Sequence, residues 1–382
     1  MASEDRRFVV MEEDRAIPGG VATLDESGKL AAEQRPSYTV PQVEGLDKAI
    51  SSLSDEVEAL QTVKQDKLTG LPGQLIGIGE DGTAQATVYP SNKSLLDNWY
   101  FVGGGSQQGG GQFPINQRGQ KEYTTNGISV YSIDRWKKTY TQLFIESDGL
   151  KLVRSGDAGS YHFYQCIEPS RIPAGRTITF SIYVKQITGT FRFGLIVDNV
   201  EALQYSPYLT SPGVYTVTAE MPDGINLLIP SIYMEPNAEM KLAAAKLELG
   251  SVQTLAHKEG DTWVLNDPPP NYAQELLKCQ RYYWKSDAEF FAKDPVEVGD
   301  GNQYIGVNVK FPVRMRARPA VTLVSVNGTP NILSSWWTRD DTSISPIVID
   351  STLTDEGFDG MRVNGATSTG VYSFRVIENA EL

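Results

Sequence analysis

Histidine and cysteine are almost missing from this chain of 382 residues: His162, His257, Cys166 and Cys279 are all there is. Two cysteines so far apart exclude a disulfide framework, and a cysteine-based zinc site lacks ligands. Both are expected to be free thiols in cores. His162 and Cys166 form a nucleophile–base pair on paper, but "YHFYQC" alternates like a strand, which makes them ordinary neighbours on one sheet face. No Ser–His–Asp constellation has credible spacing. Basic blocks are missing too. Lys and Arg number 34 against 47 Asp and Glu, for a net charge of -13. Without a basic face, nucleic acid is not an expected partner. Long apolar runs are also absent. The charged start Met1–Arg7 leads into none, so neither a secretory signal nor membrane insertion is expected, and synthesis is expected in the cytosol.

The most conspicuous stretch, "NWYFVGGGSQQGGGQFPINQRGQ" (98–120), sets two triple-glycine blocks after an aromatic triplet. A phosphate loop needs Lys and Ser/Thr after its last glycine, whereas Gly111 leads into Gln112, Phe113 and Pro114. A dinucleotide fingerprint needs a parallel βαβ unit, and this region is neither α/β nor parallel. What remains for the glycines is φ > 0 turns and close backbone approach. Gln107, Gln108, Gln112, Asn116, Gln117 and Gln120 supply amides, Arg118 a charge, and Trp99, Tyr100 and Phe101 flat faces. Such a surface suits either a tight structural loop or sugar hydroxyls stacked on a ring.

Apolar residues make up 40% of the chain and aromatics 10%, enough for the cores of two or three domains. Residues 1–40 carry the turn signals "PGG" and "DESGK" but little apolar periodicity, so this segment is expected to lean on a partner. Val43, Leu46, Ile50, Leu53, Val57 and Leu60 then recur in steps of three and four. That is a heptad seam with β-branched residues at a and Leu at d, in a helix that can begin at Pro41 and stops at "TGLPGQ". The narrow stripe predicts oligomerisation over 41–68. The residue types alone favour a dimer. Residues 69–94 read as a hairpin and linker that echo the N-terminal turns.

From Leu95 the chain reads as β-rich. "TITFSIYV" (177–184) and "TFRFGLIV" (190–197) alternate cleanly, and the short "QITG" between them predicts an antiparallel hairpin. "GVYTVTAEM", "INLLIPSIYM" and "MKLAAAKLELG" follow at strand spacing, which predicts a β-sandwich over 95–257. "NYAQELLKCQRYYWK" predicts a helix with Tyr272, Leu276, Cys279 and Tyr283 on one face. It opens a second β-rich domain, 258–382, with strands at "QYIGVNVKF", "AVTLVSV", "ISPIVID" and "VYSFRVIE". The fold class expected is mainly β: an extended N-terminal segment, a short coiled coil and two jelly-roll-like sandwiches.

Two patches are candidates for ligand binding: Trp99 with Asp134, Arg135 and Trp136 beside the glycine loop, and "SSWWTRDD" (334–341). Consecutive tryptophans on a strand face opposite ways, which leaves at least one of Trp336 and Trp337 outward beside Arg339, Asp340 and Asp341. "DEGFDG" (355–360) clusters carboxylates without the spacing of a calcium loop, so no metal and no cofactor is expected. No repeat period of a β-helix depolymerase occurs, and an enzyme is not the expectation, although a two-carboxylate glycosidase needs only a spatial pair.

"LLDNWYFVGGGSQQGGGQFPINQRGQ" followed by "YSIDRWK" (131–137) resembles a segment common in tail fibre and receptor-binding proteins of bacteriophages and prophages. There it opens a sandwich like a carbohydrate-binding module, and "AAKLELGSVQT" (244–254) is similar to that module's closing strand. "PPNYAQELLKCQRYYWK" with "FPVRMRARPAVTL" resembles the C-terminal part of the same proteins, and "GGVATLDESGKLAAEQRP" their tail-proximal region. The resemblance implies a homotrimeric virion fibre. Its N-terminus would attach to tail or baseplate proteins, the coil would be three-stranded, and the tip would bind a bacterial surface polysaccharide. A spacer without a ligand is the alternative, and a polysaccharide depolymerase the third.

Overall fold

Alternating apolar residues dictate most of this molecule. The computed structural model describes residues 40–66, 75–78, 84–105, 113–125, 129–156, 162–198, 201–297, 303–364 and 370–381. The N-terminal segment 1–39, the second glycine block 109–111 and Gln107, Gln108 and Gln112 lie outside them.

The chain divides into two units, Met1–Val88 and Tyr89–Leu382. In the first, helix α1 (Val40–Asp66) covers the heptad stretch. Its 27 residues span about 40 Å. Leu46, Ile50, Leu53, Val57 and Leu60 are each between 48% and 62% exposed, so the stripe has no cover within the described chain. The side chain of Val43 lies outside the described residues. Strands β1 (Leu75–Ile78) and β2 (Ala84–Val88) form the expected antiparallel hairpin.

The second unit begins with a sandwich. Its strands are β3 (Glu122–Tyr123), β4 (Val130–Tyr131), β5 (Trp136–Thr139), β6 (Gln142–Glu146), β7 (Gly149–Val153), β8 (His162–Gln165), β9 (Thr177–Thr188), β10 (Phe191–Val197), β11 (Glu201–Tyr205), β12 (Gly213–Glu220), β13 (Leu228–Met234) and β14 (Glu239–Leu249). They form two six-stranded sheets, in the orders β11-β10-β13-β8-β5-β4 and β12-β9-β14-β7-β6-β3. Every pairing is antiparallel.

The expected hairpin of 177–184 with 190–197 does not form. β9 pairs with β12 and β14, whereas β10 pairs with β13 and β11 in the other sheet. The alternation was legible and the pairing was not, because two strands with one apolar face each can bury them side by side or face to face. Here they face: Phe180 and Phe193 meet edge-on with ring centroids 5.5 Å apart. Gly189, at φ 82°, makes the crossing between sheets, and a Cβ there would lie 2.9 Å from the Ala238 backbone.

Strands β15 (Ala256–Glu259) and β16 (Thr262–Leu265) form a hairpin whose Trp263 and Leu265 pack on the sandwich core. The sandwich therefore extends past the expected boundary at 257/258. Helix α2 (Tyr272–Gln280) follows, with the Asn271 side chain accepting from the Gln274 N–H. It is shorter than the sequence suggested. Tyr283 leaves it to open β17 (Tyr283–Lys285), because the aromatic run pairs with the last long strand. Tyr272, Leu276 and Cys279 do share a face, packed on Phe113 and Ile115.

The C-terminal strands are β18 (Phe290–Lys293), β19 (Val296–Glu297), β20 (Gln303–Lys310), β21 (Ala320–Val324), β22 (Ser334–Ser335), β23 (Ser345–Val348), β24 (Gly357–Asn364) and β25 (Val371–Asn379). β25 is the hub of one sheet, pairing with β17, β18, β21 and β22; the other sheet runs β19-β20-β24-β23. Val309, Phe358, Met361, Phe374 and Val376 fill the core between them. On β25, Glu378 is fully buried, and neither carboxylate oxygen has a hydrogen-bond partner. Burial pushes this carboxyl up to about 9. With the folded value raised, its contribution to stability is present below about pH 4.5 and is lost as pH rises toward 9. Glu378→Gln is therefore expected to raise unfolding free energy by about 1–3 kcal/mol at pH 7 and to leave it unchanged at pH 4, read from urea denaturation at both values.

Candidate functional site

The residues singled out in the sequence fall into two groups, one buried and one exposed. Trp99, Asp134, Arg135 and Trp136 belong to the buried group. Asp134, Arg135 and Trp136 have no exposure and Trp99 only 8%. A ligand cannot reach the first three, and their role as sugar contacts is corrected to that of a junction between the two β-domains.

The junction is built around Asn98, which the sequence reading did not single out. It takes φ 53°, and all its polar groups are engaged. Its Nδ2 donates to the carbonyls of Ile115 and Asp134, at 2.9 Å each, and its Oδ1 accepts from Ile115 N–H at 2.7 Å. Its carbonyl accepts from the Trp136 indole at 2.9 Å, and its N–H donates to Glu275 of α2 at 2.6 Å. Next to it, Asp97 takes Arg171 through both oxygens, at 2.6 and 3.1 Å, and Arg135 Nε at 3.2 Å. The Arg135 guanidinium lies 3.4 Å from the centre of the Tyr282 ring and also donates to the Cys166 carbonyl. Tyr282 donates to Glu168. Burial pushes Asp97 upward, but Arg171 and Arg135 outweigh it and hold the carboxyl below its ordinary value.

The second half of the junction surrounds Arg118. Its guanidinium bonds Asp134 at 3.1 Å and Glu381, and stacks 3.8 Å from the Tyr283 ring centre. Gln117 Nε2 donates to Asp134 and to the Tyr283 carbonyl, both at 2.7 Å. Asn116 bonds the Gln120 carbonyl and accepts from Tyr123. The amides of Asn116 and Gln117 thus point inward, to structure rather than to a ligand, whereas Gln120 is exposed and takes part through its backbone carbonyl. Gly103, Gly104 and Gly105 all take φ between 61° and 135°, and a Cβ on Gly105 would lie 2.8 Å from Ile145. For this first block, the use is a turn packed against β6.

Neither histidine nor cysteine offers a nucleophile. Burial pushes His162 down to about 4, with the Arg192 charge adding to it, and burial raises both thiols. No group of side chains suited to hold a metal occurs among the described residues. Asp355 of the "DEGFDG" cluster pairs with Arg314 at 2.7 Å.

The second group is on the surface. Trp336 and Trp337 lie on a turn after β22, not on a strand, because Ser335 N–H bonds the Asp340 carbonyl and Arg339 N–H the Ser335 carbonyl. Arg339 takes φ 65° at the end of it. Trp336 leans edge-on against Phe291, centroids 4.2 Å apart, while Trp337 stands 79% exposed. Arg339 bonds Glu289, which also meets Arg375 at 3.5 Å. The Asp341 carboxylate accepts from Thr329 and Asn327, which makes it a structural tie of the turn, although Asp340 and Asp341 are both exposed.

No protein-family model matches the chain, and no curated protein does. Among solved structures it is similar to one titled "CBM4 structure and function", at 14% identity over 31% of this chain and 81% of that one, TM-score 0.24. It is similar to recombinant discoidin II of Dictyostelium discoideum at 14% identity, over 64% and 83% of the two chains, TM-score 0.16. The tandem CBM22-1–CBM22-2 domain of Paenibacillus barcinonensis Xyn10C matches at 12% identity, over 78% and 100%, TM-score 0.24. At such scores the likeness carries no argument, and the sandwich rests on the two sheets described above.

Burial pushes Asp134 up to about 6 and Glu381 up to about 7, with Arg118 opposing both shifts. Raised folded values stabilise below the unfolded ones, and that contribution is lost as pH rises through 6 to 7. Glu381→Gln is expected to flatten the fall in thermal stability between pH 5 and pH 8, measured by differential scanning calorimetry. An unchanged slope would remove Glu381 from that titration.

Proposed function

We propose that this chain is a tail fibre protein of a phage or phage-like particle, non-enzymatic, which binds a bacterial surface glycan through the Trp337 turn. The observation that carries the reading is Trp337 itself: an indole almost wholly in water, on a turn that hydrogen bonds hold in place. A large flat apolar ring kept exposed on a fixed turn suits a partner that stacks on it. Arg339 and Asp340 beside it offer charged donors and acceptors to hydroxyls. The sequence resemblance to phage receptor-binding proteins supports the same reading.

The uncovered stripe on α1 supports assembly. Five apolar side chains at a and d positions, all exposed within one chain, are suited to further copies of themselves. In this reading the copies are three. Three weak sites on one fibre then raise avidity without stronger single contacts. The N-terminal segment would hold the fibre to tail or baseplate proteins, placing the protein in the virion.

Two measurements test the proposal. Trp337→Ala is expected to lower affinity for polysaccharide purified from the host surface by roughly thirtyfold, about 2 kcal/mol, with melting temperature and oligosaccharide chain length both unchanged. Equal binding by the variant would remove this turn as the receptor site. Light scattering on the full chain should return three times the 42.0 kDa chain mass, and Ile50→Asp with Leu53→Asp should reduce it. A full-length chain that runs as a monomer would sink the fibre architecture.

A further inference from the structure

Three buried or half-buried arginines of the sandwich hold carboxylates: Arg118 with Asp134 and Glu381, Arg135 and Arg171 with Asp97. Arg192 does not. It projects from β10 on the outer face of its sheet, between Phe191 and Phe193, which point into the core. Among the described residues it has no hydrogen bond and no ion pair, and its Nε is buried without a partner. What surrounds it is aromatic. The guanidinium carbon lies 4.4 Å from the ring centre of Tyr205, 5.0 Å from Tyr233 and 5.3 Å from Tyr208.

The sheet places these groups deliberately. Arg192 is directly opposite Tyr233, which is opposite His162. Gly194, one step along the same face, is opposite Tyr205, and a Cβ there would meet first the Gln204 backbone carbonyl and then, at 2.6 Å, the Tyr205 ring. Glycine therefore lets β11 come close at this point and leaves room for the Tyr205 ring beside the guanidinium. His162 Nδ1 is 2.9 Å from Ser231 Oγ. Burial, with the Arg192 charge adding to it, holds this imidazole neutral at ordinary pH, so Arg192 carries the positive charge of the row. Tyr208 is 54% exposed, which leaves the box open to solvent on that side.

We infer that Arg192, Tyr205, Tyr208 and Tyr233 form a binding site for a carboxylate-bearing sugar. A planar guanidinium with free N–H groups matches a carboxylate with two parallel bonds. Tyrosine rings beside it take the apolar face of a pyranose, and their hydroxyls meet its own. In a chain of net charge -13, an arginine with no ion-pair partner among the described residues is the complement of an anion from outside. The site shares with the proposed function the premise that the partner is a saccharide, but it is separate from the Trp337 turn.

The test is calorimetric titration of the full chain with trigalacturonate, with maltotriose as the neutral counterpart and inorganic phosphate as the simple anion. Trigalacturonate is expected to bind at least about tenfold more tightly than either. Arg192→Gln should weaken it by about tenfold or more, and Tyr208→Ala, on the surface, severalfold with unchanged circular dichroism. Trp337→Ala should leave this binding as it is, which separates failure of this site from failure of the tip. No binding of trigalacturonate, equal binding of maltotriose or phosphate, or full retention in Tyr208→Ala overturns the inference. Should Arg192→Gln not fold, Tyr208→Ala decides alone.

Discussion

The buried polar junction between the two β-domains is the constraint on which the second unit depends. Charges and amides removed from water are costly unless every lone pair and proton finds a partner. Asn98, Asp97, Asp134 and Arg118 find theirs only when the sandwich, α2 and the C-terminal segment are all in place, and Arg135 finds all but one of its own, its buried Nη1 lacking a hydrogen-bond partner. Arg118 meets Glu381 across 263 positions of sequence, and Asn98 meets Glu275 across 177. Fold and junction are thus one cooperative object, and neither β-domain completes its own hydrogen bonding alone.

That dependence explains what was legible in the sequence and what was not. Strand positions were legible because core burial imposes alternation: Ile178, Phe180, Ile182 and Val184 are all fully buried. The helix α1 was legible from its heptad, and the five described side chains of its stripe are exposed. Sheet pairing was not, because alternation says which face is apolar and nothing about which strand lies beside it. Trp136 and Arg135 were misread as surface groups for a related reason. A "DRW" triplet looks like recognition chemistry, yet the same donors serve a buried contact when their partners come from elsewhere in the chain. The signal that could have found the junction was the recurrence of polar residues within aromatic segments, "DNWYF", "DRW" and "QRYYW", each with its charge beside a ring. Asn98 was missed because one amide among many carries no mark of its left-handed backbone.

The exposed features obey the opposite logic. Trp337 and Arg192 are conspicuous for what they lack among the described residues: one has no cover, the other no counter-ion. Within a folded chain such groups are tolerated where something external completes them. They lie in different β-domains, so the chain offers two chemically distinct surfaces, one flat and apolar and one cationic and aromatic.

A joint made of directed bonds behaves differently from one made of grease. Apolar surfaces can slide past one another with little change in energy, since the attraction has no preferred direction. The hydrogen bonds of Gln117 to the Tyr283 carbonyl, of Arg118 to Glu381 and of Asn98 to Glu275 weaken steeply with a small rotation. The sandwich and the C-terminal domain should therefore move as one stiff lever under load. The joint would hold its angle up to a limit and then give way all at once.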